Sequence, residues 1–475
     1  MLLSRLIIIS LFLTVTFNEF QGQSFYKKYG TQGNDYAESV VMDRDSGFVI
    51  VGGTEGIGQG GMDGYFLKID SAGNLLYTRT FGGGEIDRLT DIKVNPAGFA
   101  ISGYSNSFGL DYDMYVLQTD PQGIIIWEKV FGGTSWDFAN AIDILPNGSI
   151  IVAGESYTYS NGLSDGYVIN LDPLGDTIWT KHFGGAGKDV FNDVVCTPDG
   201  NILLIGTLTN SNNDKDFWLM YLDSNGNELW SLVYGDSLNQ EAMAGAILLE
   251  DEFVITGNSE TNTGTFIDNI FIKVKNTGVV SGSNVINDVA DDYGTGVVSY
   301  HLDSSFVLVG YGNSIGNGGF DGRVFDCGYN TYGIYDFDYQ IGNSFDDYIY
   351  AADTTYDKGL IVVGTTNETA YGFTSIFVNK VDSSTVPVTV FQEEVDLVVQ
   401  DTELLDFSFY PNPVKNELFF KNSKVNGQIA SIHSLDGKVV LTTKITNQQM
   451  NVPESITGGI YLMSIGGNCF KLVIE

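Results

Sequence analysis

The chain has 475 residues, enough for one large domain and one small one, with 58 glycines, 13% aromatic residues and only 17% charged residues. Its charge is one-sided, 59 acids against 23 bases for a net −36, which argues against nucleic acid and anionic membranes as partners. Three cysteines (Cys196, Cys327 and Cys469) are too few and too odd for a disulfide framework, and none of the three histidines lies close to one in sequence, which counts against a Cys/His metal site.

Residues 1–23 read as a secretory signal peptide. Arg5 gives the positive start and Leu6 to Phe17 an apolar core too short to span a bilayer. No later stretch approaches spanning length, so no transmembrane segment is expected.

From Tyr29 the chain repeats. Units open at Tyr29, Phe81, Phe131, Phe183, Tyr234, Ile286 and Ile341, in steps of 50 to 55 residues. A second landmark keeps the same count: a glycine ends an apolar run at Gly52, Gly103, Gly154, Gly206, Gly257, Gly310 and Gly364. Each unit reads as four short strands rich in Ile, Val, Tyr and Trp, separated by turn residues such as Pro146-Asn147-Gly148 and Pro173-Leu174-Gly175. No window shows a helical stripe. Seven four-stranded units predict an all-β fold, a seven-bladed β-propeller over 24–392, in which neighbouring blades bury each other's faces. The outer-strand template aromatic-x-x-x-aromatic-Gly also fits Phe25-Tyr26-Lys27-Lys28-Tyr29-Gly30, ahead of the first unit. The seventh unit lacks a good fourth strand. Residues 25–29 are therefore expected to complete blade seven, with 386–391 left out of it.

Phe-Gly-Gly, an acid six residues on, Asn-Gly, Val-x-Gly, Asp-Gly-Tyr and Leu-Asp-x-x-Gly-x-x-x-Trp together resemble the bacterial seven-bladed β-propeller repeat of the SBBP type. Units two to four match best; unit five carries Val274-Lys275-Asn276-Thr277-Gly278 where the Asp-x-x-Gly turn belongs. The resemblance implies architecture and little about activity.

Residues 393–404 carry five acids and no aromatic and read as a linker. Residues 405–475 read as a small antiparallel β-sandwich. Tyr410-Pro411-Asn412-Pro413, the Asp436-Gly437-Lys438 hairpin, Gly459-Ile460-Tyr461 and a basic-apolar end resemble the type A sorting domain of the type IX secretion system. That resemblance implies a Gram-negative bacterium of the Bacteroidota type, Sec export to the periplasm and passage through the outer membrane. It further implies that the secretion machinery is a partner through this domain, and that the tail is removed before anchoring at the surface or release.

Acids recur where ligands bind propellers. Asp35, Asp87, Asp137, Asp189, Asp292 and Asp347 stand six residues after six of the unit starts, with Gln240 in the fifth. Asp63, Asp113, Asp165, Asp216, Asp268 and Asp321 precede the third strands, with Ser375 in the seventh. Repetition in every blade is what turn-capping predicts. The sharper reading is a ring of carboxylates in the first set holding Ca²⁺, the one cofactor considered. Aromatic neighbours such as Tyr36, Trp136, Phe138, Tyr293 and Tyr348 either pack between blades or bind sugars. The Asp-x-x-Gly-x-x-x-Trp turns have the wrong spacing for a sialidase Asp-box, and five scattered arginines cannot form that enzyme's cluster. No nucleophile elbow, His-Glu-x-x-His helix or phosphate loop occurs. The expected function is a non-catalytic binding or adhesion module, exported to the surface or secreted, with a glycan or protein ligand on the long-loop face. The alternatives are a glycan-active hydrolase using carboxylates on that face and a structural surface-layer protein.

Overall fold

The computed structural model describes residues 24–474 apart from 250, 261–265, 287–289, 301–304, 314–318, 328–336, 343, 368–372, 382–392, 397–408, 422–425, 435–437, 454 and 466–467. The signal segment and the stretch around Pro387 lie outside the described residues. The fold is all-β: seven sheets, antiparallel but for one added outer strand, form a propeller, and two further sheets form the C-terminal domain. In blade 3 the order is Asp137–Ile144, Ile150–Ser156, Asp165–Leu171 and Thr177–Phe183, from the channel outwards.

Blade 7 is closed by the other end of the chain. Its three strands Asp347–Thr354, Leu360–Thr366 and Ser375–Val381 are followed in the sheet by Phe25–Gly30, antiparallel, with Tyr29 opposite Ile376 and Phe25 opposite Lys380. The aromatic template at the N-terminus thus does what its pattern implies. The acidic segment read as linker begins differently. Glu393–Asp396 forms a fifth strand, parallel to Phe25–Gly30, with Lys27 opposite Glu393. A free outer edge offers unpaired backbone groups, and the chain's own next segment satisfies them.

Middle strands lie between two neighbouring blades, so both of their faces are buried and they read as continuous apolar runs rather than alternating ones. Phe48–Thr54 and Ile150–Ser156 are buried throughout. The cores lie at the seams: Val49, Val51 and Phe66 of blade 1 pack on Leu89, Phe99 and Ile101 of blade 2.

Three polar devices recur at the seams. The first is a bulge in every inner strand, for example between Ala139 and Ala141. Its extra residue reaches the next blade: Thr90 Oγ1 donates to the Ala139 carbonyl at 2.9 Å, Asn140 Nδ2 to that of Phe191 at 2.9 Å and Asn192 Nδ2 to that of Ala242 at 2.7 Å. The bulge also explains the glycine landmark, since a Cβ on Gly154 would lie 1.9 Å from the Phe138 carbonyl oxygen.

The second device lines the central channel. Inner strands have a free edge there, and carboxylates satisfy it. Asp91, Asp143 and Asp193 each accept the N–H of their own next residue and one from the following blade: Ile142 at 3.1 Å, Cys196 at 2.6 Å and Gly245 at 2.9 Å. Asp353 closes the ring by accepting Met42 N–H at 2.8 Å. Cys196 is a free thiol, pushed up by burial, which packs against the apolar cluster of blades 3 and 4.

The third is the Asp-x-x-Gly-x-x-x-Trp element. Its Asp caps its own turn, as Asp172 does for Leu174 and Asp176 N–H at 2.8 and 2.9 Å. Its Trp donates to the corresponding turn of the next blade: Trp127 Nε1 to Pro173 O at 3.1 Å, Trp179 to Ser224 O at 3.1 Å and Trp230 to Asn276 O at 2.7 Å. Tyr29 makes the same contact from the N-terminal strand, to Gly73 O at 2.5 Å. This element joins blades.

The C-terminal domain has sheets of three and four strands around Val414, Leu418, Phe420, Ile432, Met463 and Leu472. Tyr410 is exposed and stacks on Phe419, while Asn412 Oδ1 accepts Val473 N–H at 2.8 Å and so ties the Tyr-Pro-Asn-Pro segment to the last strand. Tyr461, in Gly459–Ile465, is buried and donates to Thr457 O at 2.7 Å. Asp436 and Gly437 lie outside the described residues, but the flanking strands Ile429–His433 and Val439–Lys444 pair as a hairpin, and Lys438 is exposed between them.

Candidate functional site on the long-loop face

The loops entering the inner strands and those joining second to third strands share one face. The first set of acids opens the inner strands there, and all six are buried. Asp35 accepts Thr31 N–H at 2.6 Å, Asp87 that of Gly83 at 2.7 Å, Asp137 that of Gly133 at 3.0 Å and Asp189 that of Gly185 at 2.6 Å. Gln240 fills the same place, its Oε1 accepting Asp236 N–H at 3.0 Å. Asp292 is held by the buried Arg323, Nη1 to Oδ1 at 3.0 Å, and Asp347 opens the inner strand of blade 7. Burial raises Asp35 to about 6 against the donors that hold its anion. These acids are spread one per blade. Among the described residues, no group of three His, Cys, Asp or Glu side chains is placed to hold a metal ion.

What distinguishes one part of this face from another is aromatic. Around blades 2 and 3, Tyr104, Tyr112, Trp136, Phe138 and Tyr157 contact one another, with ring centroids from 5.1 Å (Tyr104–Phe138) to 6.3 Å (Tyr112–Trp136). Trp136 is 50% exposed. Around blades 6 and 7, Tyr293 stacks on Tyr311 at 4.9 Å, Tyr311 meets Tyr348 edge-on at 4.9 Å, and Tyr348 stacks on Tyr350. Phe320 fits between them, 5.6 Å from Tyr348. These rings are half-buried: fixed by their neighbours, with part of each surface open.

An ion pair lies between the two groups. Arg88 binds Glu38 across the first seam and lies over the Tyr36 ring at 5.2 Å. Burial works against the charge of Arg88, yet Glu38 carries its pKa upward. Glu38 is itself raised by burial, with Arg88 opposing. Tyr104 is raised by burial, and Arg88 opposes that rise by charge and by a hydrogen bond. Burial raises Tyr311 to about 12, so this ring stays a neutral phenol. Together the rings and the pair form an arc over blades 3, 2, 1, 7 and 6.

The sequence singled out Tyr36, Trp136, Phe138, Phe191, Tyr293 and Tyr348 and left most of them to packing between blades; Phe191 is fully buried in the core of blades 3 and 4 and is no part of the arc. The sequence missed Glu38, Arg88, Tyr104, Tyr112, Tyr311, Phe320 and Tyr350. A signal existed for Glu38, Arg88 and Tyr350, which stand at the first or third position after a capping acid, where the units vary. Blades 4 and 5 carry Val190 and Glu241 at the first of these positions, and the salt bridges Lys188–Glu155 and Lys215–Glu241 stand on that side instead of rings.

Residues 408–474 match the Secretion system C-terminal sorting domain. No match to a curated protein was found. Among solved structures the chain is similar to PorZ of Porphyromonas gingivalis, titled an essential bacterial surface component of the type-IX secretion system. The identity is 12%, over 95% of this chain and 59% of that one, with a TM-score of 0.40. It is also similar to the Neurospora crassa Pan2 WD40 domain (12% identity, 74% of this chain and 91% of that one, TM-score 0.46). A third is a protein of unknown function from Bacteroides caccae (13%, 53% and 80%, TM-score 0.37). None of the three carries information on what this chain binds. No helix of the described residues is long and apolar enough to cross a membrane. The sorting domain marks the chain as type IX secretion cargo, exported to the cell surface or released.

Proposed function

We propose that the propeller, built from SBBP-type repeats, is a non-catalytic binding module that meets an extracellular glycan on its long-loop face. The observation that carries this reading is the arc of half-exposed rings flanking the Arg88–Glu38 pair. Rigid aromatic faces suit the apolar faces of sugar rings, and a central ion pair offers donors and acceptors to hydroxyls. The net charge of −36 favours uncharged glycans over polyanions. The loop carboxylates support binding over hydrolysis, because those whose bonds are described are buried and hold their own turns.

The test is a glycan array probed with the mature chain, followed by titration of the best ligand against Trp136→Ala and Tyr348→Ala. Each variant should weaken binding about tenfold, the size of a contact worth about 1.4 kcal/mol. A silent array, or unchanged affinity in both variants, would remove the reading. Release of new reducing ends from a bound glycan would favour a hydrolase instead.

A further inference from the structure

At several seams of the long-loop face, the acid before a third strand lies beside the acid that opens the next blade. Between blades 3 and 4 these are Asp165 and Asp189, 1% and 0% exposed. Asp189 accepts Gly185 N–H on Oδ2 at 2.6 Å and Thr209 N–H on Oδ1 at 2.8 Å. Asp165 accepts Asn161 N–H on Oδ2 at 3.0 Å, while its buried Oδ1 has no donor. That oxygen and Asp189 Oδ2 converge on Gly184, where a Cβ would lie 2.7 Å from one and 2.8 Å from the other.

The seam of blades 2 and 3 repeats the geometry. Asp113 Oδ1 and Asp137 Oδ2 converge on Gly132, at 1.9 and 2.8 Å from its would-be Cβ. Asp137 Oδ2 takes Gly133 N–H at 3.0 Å and the Thr158 hydroxyl at 2.8 Å. Asp113 Oδ1 and the fully buried Asp137 Oδ1 have no donor.

Two anionic oxygens that converge out of water repel each other and lose their hydration, so the arrangement needs a positive charge. No lysine or arginine of the described residues pairs with any of these four acids. Burial, with the neighbouring acid adding to it, pushes both Asp113 and Asp165 upward, and at Asp165 the imidazole of His182 opposes the rise. Three other seams are neutralised in the sequence itself, whereas between blades 6 and 7 Asp321 Oδ1 and Asp347 Oδ2 also converge, at 2.0 and 3.1 Å from the would-be Cβ of Gly342, and both acids make further interactions. Gln240 replaces the acid between blades 4 and 5, Ser375 faces Gly30 and Asp35 between blades 7 and 1, and in blade 6 Arg323 binds Asp292. The convergent oxygens at Gly132 and Gly184 have no such partner.

We propose that Asp113 with Asp137, and Asp165 with Asp189, each bind one hard divalent cation of the Ca²⁺ class, clipping blade 2 to 3 and blade 3 to 4. Ca²⁺ takes six to eight oxygens. Two carboxylates supply a minority of them and backbone and water oxygens the rest, which places these sites in the weak range of extracellular modules, about 0.1 to 1 mM. The sites do not depend on the glycan reading.

The experiment is thermal unfolding of the mature chain in chelator and in CaCl₂ from about 0.1 to 10 mM, the range that brackets that affinity. A saturable rise in Tm is expected. In the double variant D113N/D165N the rise should vanish, and Tm in chelator should equal or exceed that of the unaltered chain, because the repulsion is gone. Equilibrium dialysis with labelled Ca²⁺ on the unaltered chain should count two sites, and this readout serves if the variant fails to fold. An absent Ca²⁺ response, or a response that persists in the double variant, would overturn the proposal. So would a Ca²⁺-independent gain on acidification that the double variant lacks, which would assign the charge to a shared proton.

Discussion

At the residue after the capping position, blades 1, 3, 6 and 7 carry Tyr36, Phe138, Tyr293 and Tyr348 and blade 2 carries Arg88, whereas blades 4 and 5 carry Val190 and Glu241. The two regions share their seams. Asn140 and Asn192 both reach the next bulge, and Trp179 and Trp230 both reach the next turn. They differ in what they show to solvent. In a repeat protein, positions that recur in every unit hold neighbour to neighbour, and specificity is left to the positions that vary. The repeated acids drew the eye in the sequence because they recur, and recurrence marks scaffold. The arc lies in the departures.

The largest expected effect tests the scaffold itself. Deleting residues 24–30 strips blade 7 of the strand that carries the buried Phe25 and Tyr29. The propeller should then lose its cooperative unfolding transition in circular dichroism; an unchanged midpoint would show that the ring closes without it.

Trp179→Ala and Trp230→Ala should each cost about 2–4 kcal/mol in denaturant unfolding, through lost packing and a lost hydrogen bond to the next blade. The two costs should agree although the blades bear different faces. A large difference would mean that the seams are not equivalent, and the comparison would fail there.

Trp136→Ala, at a ring 50% exposed, should change stability by about 1 kcal/mol or less while weakening glycan binding about tenfold. Val190→Ala, on the ringless side, should leave binding unchanged. Equal losses from both would place the ligand elsewhere.

The smallest effect is on pH. Burial raises Asp193 to about 7, with Lys93 opposing and Asp91 adding to the rise. Its folded pKa exceeds the unfolded value of 3.8, so the folded chain binds the extra proton. The stability it adds is complete below the ordinary carboxylate range and is lost as pH rises through about 7. Tm should therefore fall between about pH 4 and pH 7. Asp193→Asn keeps one acceptor for the two N–H groups that Oδ1 and Oδ2 now take, from Val194 and Gly245, so it should lower Tm at every pH while flattening that slope. An unchanged slope would assign the dependence to other carboxyls.

Much of the fold was legible because each blade is local. Its strands, turns and Asp caps lie within 50 to 55 residues, and turn chemistry such as Asp172–Gly175 is written in adjacent letters. Even the long-range closure by Phe25–Gly30 showed, since the segment repeats the outer-strand template. The strand Glu393–Asp396 did not show, because a parallel partner is fixed by the edge it meets and not by its own pattern. The arc was only partly visible. Arg88 and Glu38 are 50 residues apart, and Tyr104 and Phe138 belong to different blades. Nothing local says that such pairs meet.

By itself the sequence determined the number of blades, the sorting domain that follows them and the residues that cap every turn, since these rest on periodicity and on contacts within a few residues. The tertiary structure alone decided which side of each residue faces a neighbouring blade. That choice turned the outer tryptophans into seam contacts, sent Asp91, Asp143 and Asp193 to the free inner edges, and gathered rings from separate blades at the channel mouth. The physical reason is closure. A ring brings together side chains about 50 residues apart, and the angle between blades, absent from any single unit, sets which of them touch.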